Sequence, residues 1–84
     1  MKTVIFLHHP VLNDTFAYFP LEKWDRIGNR MCYSTDGGHG ACSPDYAAEC
    51  IDATEGQYND IIQALNIDGY KLNILLKNDL IKSK

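Results

Sequence analysis

An N-terminal segment whose two alternating faces are both apolar limits the folds open to this chain. Residues 3–9 are rich in β-branched and aromatic side chains, which predicts a strand. Val4 and Phe6 lie on one face of that strand, and Ile5 and Leu7 lie on the other. Because both faces are apolar, we expect this strand in the centre of a sheet, beside the similarly apolar residues 70–76.

The residues that follow predict short strands joined by turns. Asn13-Asp14 favours a turn, so residues 15–19 are expected to return as a second strand and form a hairpin with the first. Residues 21–29 predict a loop or a single helical turn, and residues 30–35 predict a third short strand. Three glycines among residues 36–40 favour irregular backbone, since glycine tolerates positive φ.

Two helices are predicted in the second half of the chain. The first begins at Ser43-Pro44-Asp45, which supplies a hydroxyl cap, a proline at the first helical position and an acid near the positive end of the helix dipole. Thr54-Glu55-Gly56-Gln57 is a capping box that begins the second helix, and Gly69 ends it. Apolar side chains spaced three and four apart predict its buried stripe: Tyr58, Ile61, Ile62 and Leu65.

The order of these elements defines the expected fold. It is strand, strand, a third short strand, helix, helix, strand, which predicts an α+β two-layer sandwich. A small, mostly antiparallel sheet would be covered on one face by both helices. We expect a single domain over residues 1–77, followed by a flexible basic tail over residues 78–84.

Composition excludes several classes of function. The chain has 84 residues, of which 45% are hydrophobic, and its longest apolar runs are far too short to span a bilayer. With 8 basic and 11 acidic residues, the domain as a whole is not expected to bind nucleic acid directly. No signal-peptide pattern is found at the N-terminus, so we expect a location in the cytoplasm of a bacterial host or in a virion.

Acidic residues are concentrated in the helical part of the chain. Residues 43–70 contain six acidic side chains and no basic one. Acids near helix N-termini are also typical of an ordinary solvated face. The sharper interpretation is a surface that contacts a basic protein partner. Its residues would be Asp45, Glu49, Asp52, Glu55 and Asp60.

Three cysteines and one histidine form the pattern C-x6-H-x2-C-x7-C, at Cys32, His39, Cys42 and Cys50. All four residue types bind zinc, but standard zinc modules use more closely spaced ligand pairs. Free thiols are therefore the first interpretation, and the alternative is a zinc-stabilised module with a structural or nucleic-acid-associated role. Cys42 precedes a predicted helix N-terminus, which can lower a thiol pKa, so a cysteine-dependent enzyme is a third hypothesis. His8 and His9 are expected to mark the exit of the first strand to solvent.

Several stretches resemble a family of small uncharacterised proteins of gut-bacterial phages and mobile elements. They are Phe16-Ala17-Tyr18-Phe19-Pro20, Cys32-Tyr33-Ser34, His39, Cys42-Ser43, Tyr46, Cys50, Ala53-Thr54, Tyr58 and Gly69-Tyr70-Lys71-Leu72. The resemblance implies a phage or mobile-element accessory protein and brings no catalytic residue or cofactor with it. The acidic segment and the lack of a catalytic motif lead us to expect a non-enzymatic interaction protein that binds a host or virion protein through its acidic helical face.

Overall fold

The computed structural model describes the backbone of residues 1–82 and the side chains of residues 1–79. Its strands are β1 (Lys2–His9), β2 (Asp14–Lys23), β3 (Arg30–Ser34), β4 (Gly38–Cys42), β5 (Ile51–Asp52) and β6 (Leu72–Ile74). Its helices are α1 (Pro44–Ala48), α2 (Glu55–Ile67) and α3 (Lys77–Lys82). The predicted fold class, α+β with a small and mostly antiparallel sheet, is confirmed. Within residues 1–82, none of the helices has the length and apolar composition of a membrane span.

The first strand lies in the interior of the sheet, as its two apolar faces predicted. The strand order is β4-β3-β2-β1-β5, and β6 also pairs with β1, in parallel. The backbone N–H groups of Leu75 and Ala53 donate to the carbonyls of Val4 and Phe6, both at 2.9 Å. Segments β6 and β5 therefore follow one another along the edge of β1 that faces away from β2.

The two predicted helices pack on opposite faces of the sheet, which corrects the expectation that both cover one face. Helix α2 places Ile61 and Leu65 against Val4 and Phe6. Helix α1 places Ala47 against the other face of β1, in a cluster with Ile5, Leu7, Phe16, Tyr18, Cys42 and Cys50. The physical reason is the apolar character of both faces of β1, because each face has to be shielded from water.

Glycine content misled the prediction for residues 36–40. Gly38, His39 and Gly40 belong to the regular edge strand β4, and only the turn before them is irregular. Of the three glycines in this stretch, Gly38 alone has a positive φ, of 69°. Strand β2 is also longer than predicted, since it continues through Pro20 to Lys23 with an irregularity in its pairing to β3.

The predicted helix starts are confirmed in detail. The Ser43 hydroxyl caps α1 by accepting the Tyr46 N–H, and Thr54 and Gln57 form the reciprocal capping box of α2. Helix α2 ends before Gly69, whose φ is 92°. The predicted tail differs, because residues 77–82 form helix α3, while residues 83 and 84 lie outside the described residues. The first turn of α3 is capped by Asp52, whose Oδ1 accepts the Lys77 N–H at 2.9 Å.

Candidate functional site: a thiol pair and a basic loop

Two of the three cysteines lie side by side on the α1 face of the sheet. Cys32 in β3 is paired with Gly40, and Cys42 in β4 is paired with Arg30, so the two thiols occupy diagonal positions on neighbouring strands. A hydrogen bond with the Cys42 thiol stabilises the Cys32 thiolate and holds the pKa of Cys32 below its ordinary value. The same interaction and burial raise the pKa of Cys42. Cys32 is therefore the more acidic thiol of this pair, which we call the thiol pair.

The thiol pair borders an open pocket of about 380 Å³ between the sheet and α1. Its polar lining comprises Asp14, Ser34, Ser43 and Tyr46 besides the two cysteines. The Tyr46 hydroxyl donates to Asp14 Oδ2 at 2.9 Å, which closes one side of the pocket. Burial, and then the bond to Asp14, raise the pKa of Tyr46 to about 12, so its hydroxyl stays protonated at neutral pH.

Cys50 belongs to the same core cluster but is engaged differently. It is buried, and its Sγ donates to the backbone carbonyl of Tyr46 at 3.3 Å. Burial raises the pKa of the Cys50 thiol. Cys50 therefore acts as a small apolar residue of the core.

His39 lies on the opposite face of the sheet from the thiol pair, so the four residues of the predicted zinc pattern do not meet. Its Nε2 is 2.8 Å from the Tyr70 hydroxyl, and its ring packs against Tyr33. The reason is strand geometry, because His39 and Cys42 are three residues apart in β4 and such residues point to opposite faces. Among the described residues, no three His, Cys, Asp or Glu side chains form a group that could hold a metal ion.

Cys42 does not have the environment that was predicted for a nucleophile. Cys42 directly precedes Ser43, the cap of α1, as predicted, but this helix has only five residues. Cys42 is buried, and its raised pKa keeps it as a thiol at neutral pH. A thiol in this state is a poor nucleophile, since the thiolate is the reactive form.

His8 and His9 are buried, which corrects the expectation that they mark an exit to solvent. His8 Nδ1 is 2.7 Å from Thr15 Oγ1, within the hairpin. His9 Nδ1 accepts a hydrogen bond from the Leu12 N–H in the turn. On the side of α1, His9 Nε2 is 3.3 Å from Glu49 Oε2, and the His9 ring stacks on Tyr46. These contacts hold the β1–β2 turn against α1.

The five acidic residues predicted as one contact surface are divided between different parts of the fold. Asp45 and Glu49 belong to α1 and its C-terminal cap, whereas Glu55 and Asp60 lie on α2, across the sheet. Asp52 lies in β5 and caps α3. The structure therefore does not bring these residues together on a single helical face.

The loop between β2 and β3 carries a feature that the sequence reasoning missed. Three large apolar side chains of this region are exposed: Leu21 at 65%, Trp24 at 46% and Ile27 at 86%. Three basic side chains accompany them, because Lys23, Arg26 and Arg30 line one surface pocket at the loop. We call these six residues, which belong to this loop and to the strand ends beside it, the basic loop. The sequence contained one signal of this exposed site: Trp24 and Ile27 are large apolar residues in a stretch that has no apolar periodicity.

The basic loop is held in shape by Asp25. Its Oδ1 accepts the backbone N–H groups of Ile27 and Asn29, both at 3.1 Å, and its Oδ2 accepts the Asn29 side-chain amide at 2.8 Å. These hydrogen bonds, the one from the Asn29 side chain first, hold the pKa of Asp25 below its ordinary value. The exposed side chains of the loop are therefore presented from an ordered backbone.

Comparison with known proteins adds no relative to this description. No protein-family model, no curated protein and no solved structure matches the chain.

Proposed function

We propose that this chain is a non-enzymatic interaction protein that binds an acidic protein partner through its basic loop. The observation that carries the proposal is the exposure of Leu21, Trp24 and Ile27 beside three basic side chains. Exposed apolar side chains grouped with charges on an ordered segment are typical of protein contact sites, and tryptophan and arginine are enriched at the energetic centres of such sites.

The charge of the basic loop contrasts with the charge of the whole chain. The chain has a net charge of −3, yet the loop carries Lys23, Arg26 and Arg30. Of the two acids in this stretch, Glu22 accepts a hydrogen bond from Lys2 Nζ at 2.6 Å, and Asp25 is committed to the loop backbone. Both acids keep their charge, but with Lys2 the region has four basic side chains against two acidic ones, and this net charge of +2 favours an acidic partner.

This proposal revises the partner inferred from the acidic residues of the sequence. A basic partner would need an extended acidic surface, and the five predicted residues are distributed over both faces of the sheet. The resemblance to phage and mobile-element proteins is compatible with an accessory protein that acts by binding, and that origin stays a prediction.

Photocrosslinking from a single position tests where the partner binds. A photoreactive amino acid would replace Ile27 or, as the matched control, Ile67, which is 85% exposed and lies at the end of α2. In bacterial cells that express the protein, we expect one defined protein to be crosslinked from position 27 and not from position 67. Identical products from both positions, or crosslinks from position 27 to nucleic acid or lipid, would contradict the proposal.

Binding of the purified partner then tests the charges. We expect Arg26→Glu to weaken binding roughly tenfold and to reduce its dependence on salt, because a favourable charge contact becomes repulsive. Lys71→Glu makes the same charge change at an exposed residue next to β6 and should leave the affinity unchanged. Equal affinities for the wild type and the Arg26→Glu variant would exclude the basic loop as the contact site.

A further inference from the structure

The thiol pair has a geometry that suits a bridging ion better than a disulfide. Cys32 and Cys42 are diagonal neighbours in the β3–β4 register, since Cys32 faces Gly40 and Cys42 faces Arg30. Diagonal Cα positions in an antiparallel pair are about 7–8 Å apart, whereas the Cα atoms joined by a disulfide are usually about 4.4–6.8 Å apart. A metal ion bound to both sulfurs replaces the S–S bond of about 2.0 Å by two metal–sulfur bonds of about 2.3 Å each. This longer bridge can join Cα atoms that are too far apart for a disulfide.

We propose that Cys32 and Cys42 bind one cuprous ion, as a two-coordinate site in the pocket between the sheet and α1. Sulfur ligands select soft ions, and copper in its monovalent state accepts two sulfur ligands. Zinc requires about four ligands, and His39 is on the other face of the sheet. The site is independent of the basic loop and of the partner proposed for it.

Binding at this site is a substitution of protons by the metal and changes no oxidation state. Each thiol gives up its proton to solvent, each sulfur forms one bond to the ion, and the resulting bis-thiolate complex carries one negative charge. The pocket of about 380 Å³ gives the ion a path from solvent to the half-buried Cys32.

Titration with cuprous ion tests the proposal directly. Reduced protein would be titrated without oxygen against a chromogenic cuprous chelator, and native mass spectrometry would count the bound ions. We expect one cuprous ion per chain in the wild type. Cys32→Ser and Cys42→Ala should each weaken its affinity by more than the roughly 10- to 100-fold that is typical when an outer partner of a metal ligand is lost.

Cys50 provides the control within the same core. Cys50→Ala removes a buried thiol that bonds to the Tyr46 carbonyl, and we expect it to retain the cuprous site. Circular dichroism of each variant establishes that it is folded before its affinity is compared. A wild type that binds no more tightly than Cys32→Ser, or an equal loss in Cys50→Ala, would overturn the proposal. Zinc binding as tight as cuprous binding would overturn it as well, because it would require a site with further ligands.

Discussion

The hydroxyl of Tyr46 in α1 donates to the carboxylate of Asp14 at the start of β2, with an O–O distance of 2.9 Å. The two residues are far apart in the sequence, and their contact fixes α1 across the sheet. It also closes one side of the pocket that contains the thiol pair. This hydrogen bond is therefore one of the contacts that hold α1 beside the pocket.

Tyr46→Phe should lower the free energy of unfolding by about 1 kcal/mol, because one hydrogen bond is lost while the ring is kept. Urea denaturation measures the change. Tyr58→Phe is the matched control, since the Tyr58 ring stacks on Phe6 and the substitution preserves that contact. Equal stabilities of the two variants would show that the bond to Asp14 contributes nothing.

The stability that Tyr46 contributes should also depend on alkaline pH. Its pKa is raised from 10.0 to about 12, first by burial and then by Asp14. Because the folded-state pKa is the higher one, this contribution is fully present below 10.0 and is lost as the pH rises towards 12. The difference in stability between the wild type and Tyr46→Phe should therefore shrink over that range, and a constant difference would contradict this assignment.

Asp25→Asn should destabilise the basic loop at neutral pH, because the neutral amide is a weaker acceptor for the Ile27 and Asn29 N–H groups. The folded-state pKa of Asp25 is lowered, so its contribution is present above the unfolded-state pKa and is lost as the pH falls through the folded-state value. Hydrogen exchange of the loop amides measures the effect, with Asp36→Asn in the next turn as the control. In acid, the loop amides of the wild type and of Asp25→Asn should exchange at similar rates. If the variant exchanges faster by the same factor in acid as at neutral pH, the assignment is contradicted.

Lys77→Met should lower the free energy of unfolding by about 1–2 kcal/mol, since two charge-assisted hydrogen bonds are lost. Lys77 Nζ donates to the carbonyls of Ala48 and Cys50, at 2.9 and 2.6 Å, where α1 ends. Lys71→Met is the control, because Lys71 is an exposed lysine. If thermal unfolding of the two variants occurs at the same temperature, Lys77 does not stabilise the end of α1.

Two glycines of the β3–β4 hairpin should respond differently to the same substitution. Gly38 has a φ of 69°, a conformation that is unfavourable for a residue with a Cβ. We therefore expect Gly38→Ala to lower the free energy of unfolding by about 1 kcal/mol. The φ of Gly40 is not in the left-handed range, and a Cβ there meets no atom within 4 Å, so Gly40→Ala should be neutral or slightly stabilising. Denaturation midpoints measure both, and equal effects would contradict the backbone conformations described above.

The local features of this fold could be predicted from the sequence, and its long-range ones could not. The capping residues Ser43 and Thr54 act on backbone groups within three positions, so their patterns are sufficient to identify them. The side of the sheet on which α1 packs depends on how the chain crosses from β4 to β5, and no local pattern encodes that crossing. Strand β5 has only two residues, which is too short for any periodicity to appear.

The candidate sites were predicted less well for a related reason. The spacing between His39 and Cys42 suggested a shared metal site, but in a strand residues three apart face opposite ways. The error followed from treating the glycines of β4 as irregular backbone. The basic loop was missed because neither Trp24 nor Ile27 belongs to a periodic pattern, and exposure of such residues becomes apparent only in three dimensions.

The parallel pairing of β6 with β1 has a consequence for synthesis on the ribosome. The residues that complete one end of the outer edge of β1, Leu72–Ile74, are synthesised after the other five strands of the described sheet. Until β6 has been made, the part of β1 that it covers has one edge without a partner, and such edges promote association between nascent chains. Shielding of this edge, for example by a chaperone, therefore matters during the interval between the synthesis of β1 and that of β6.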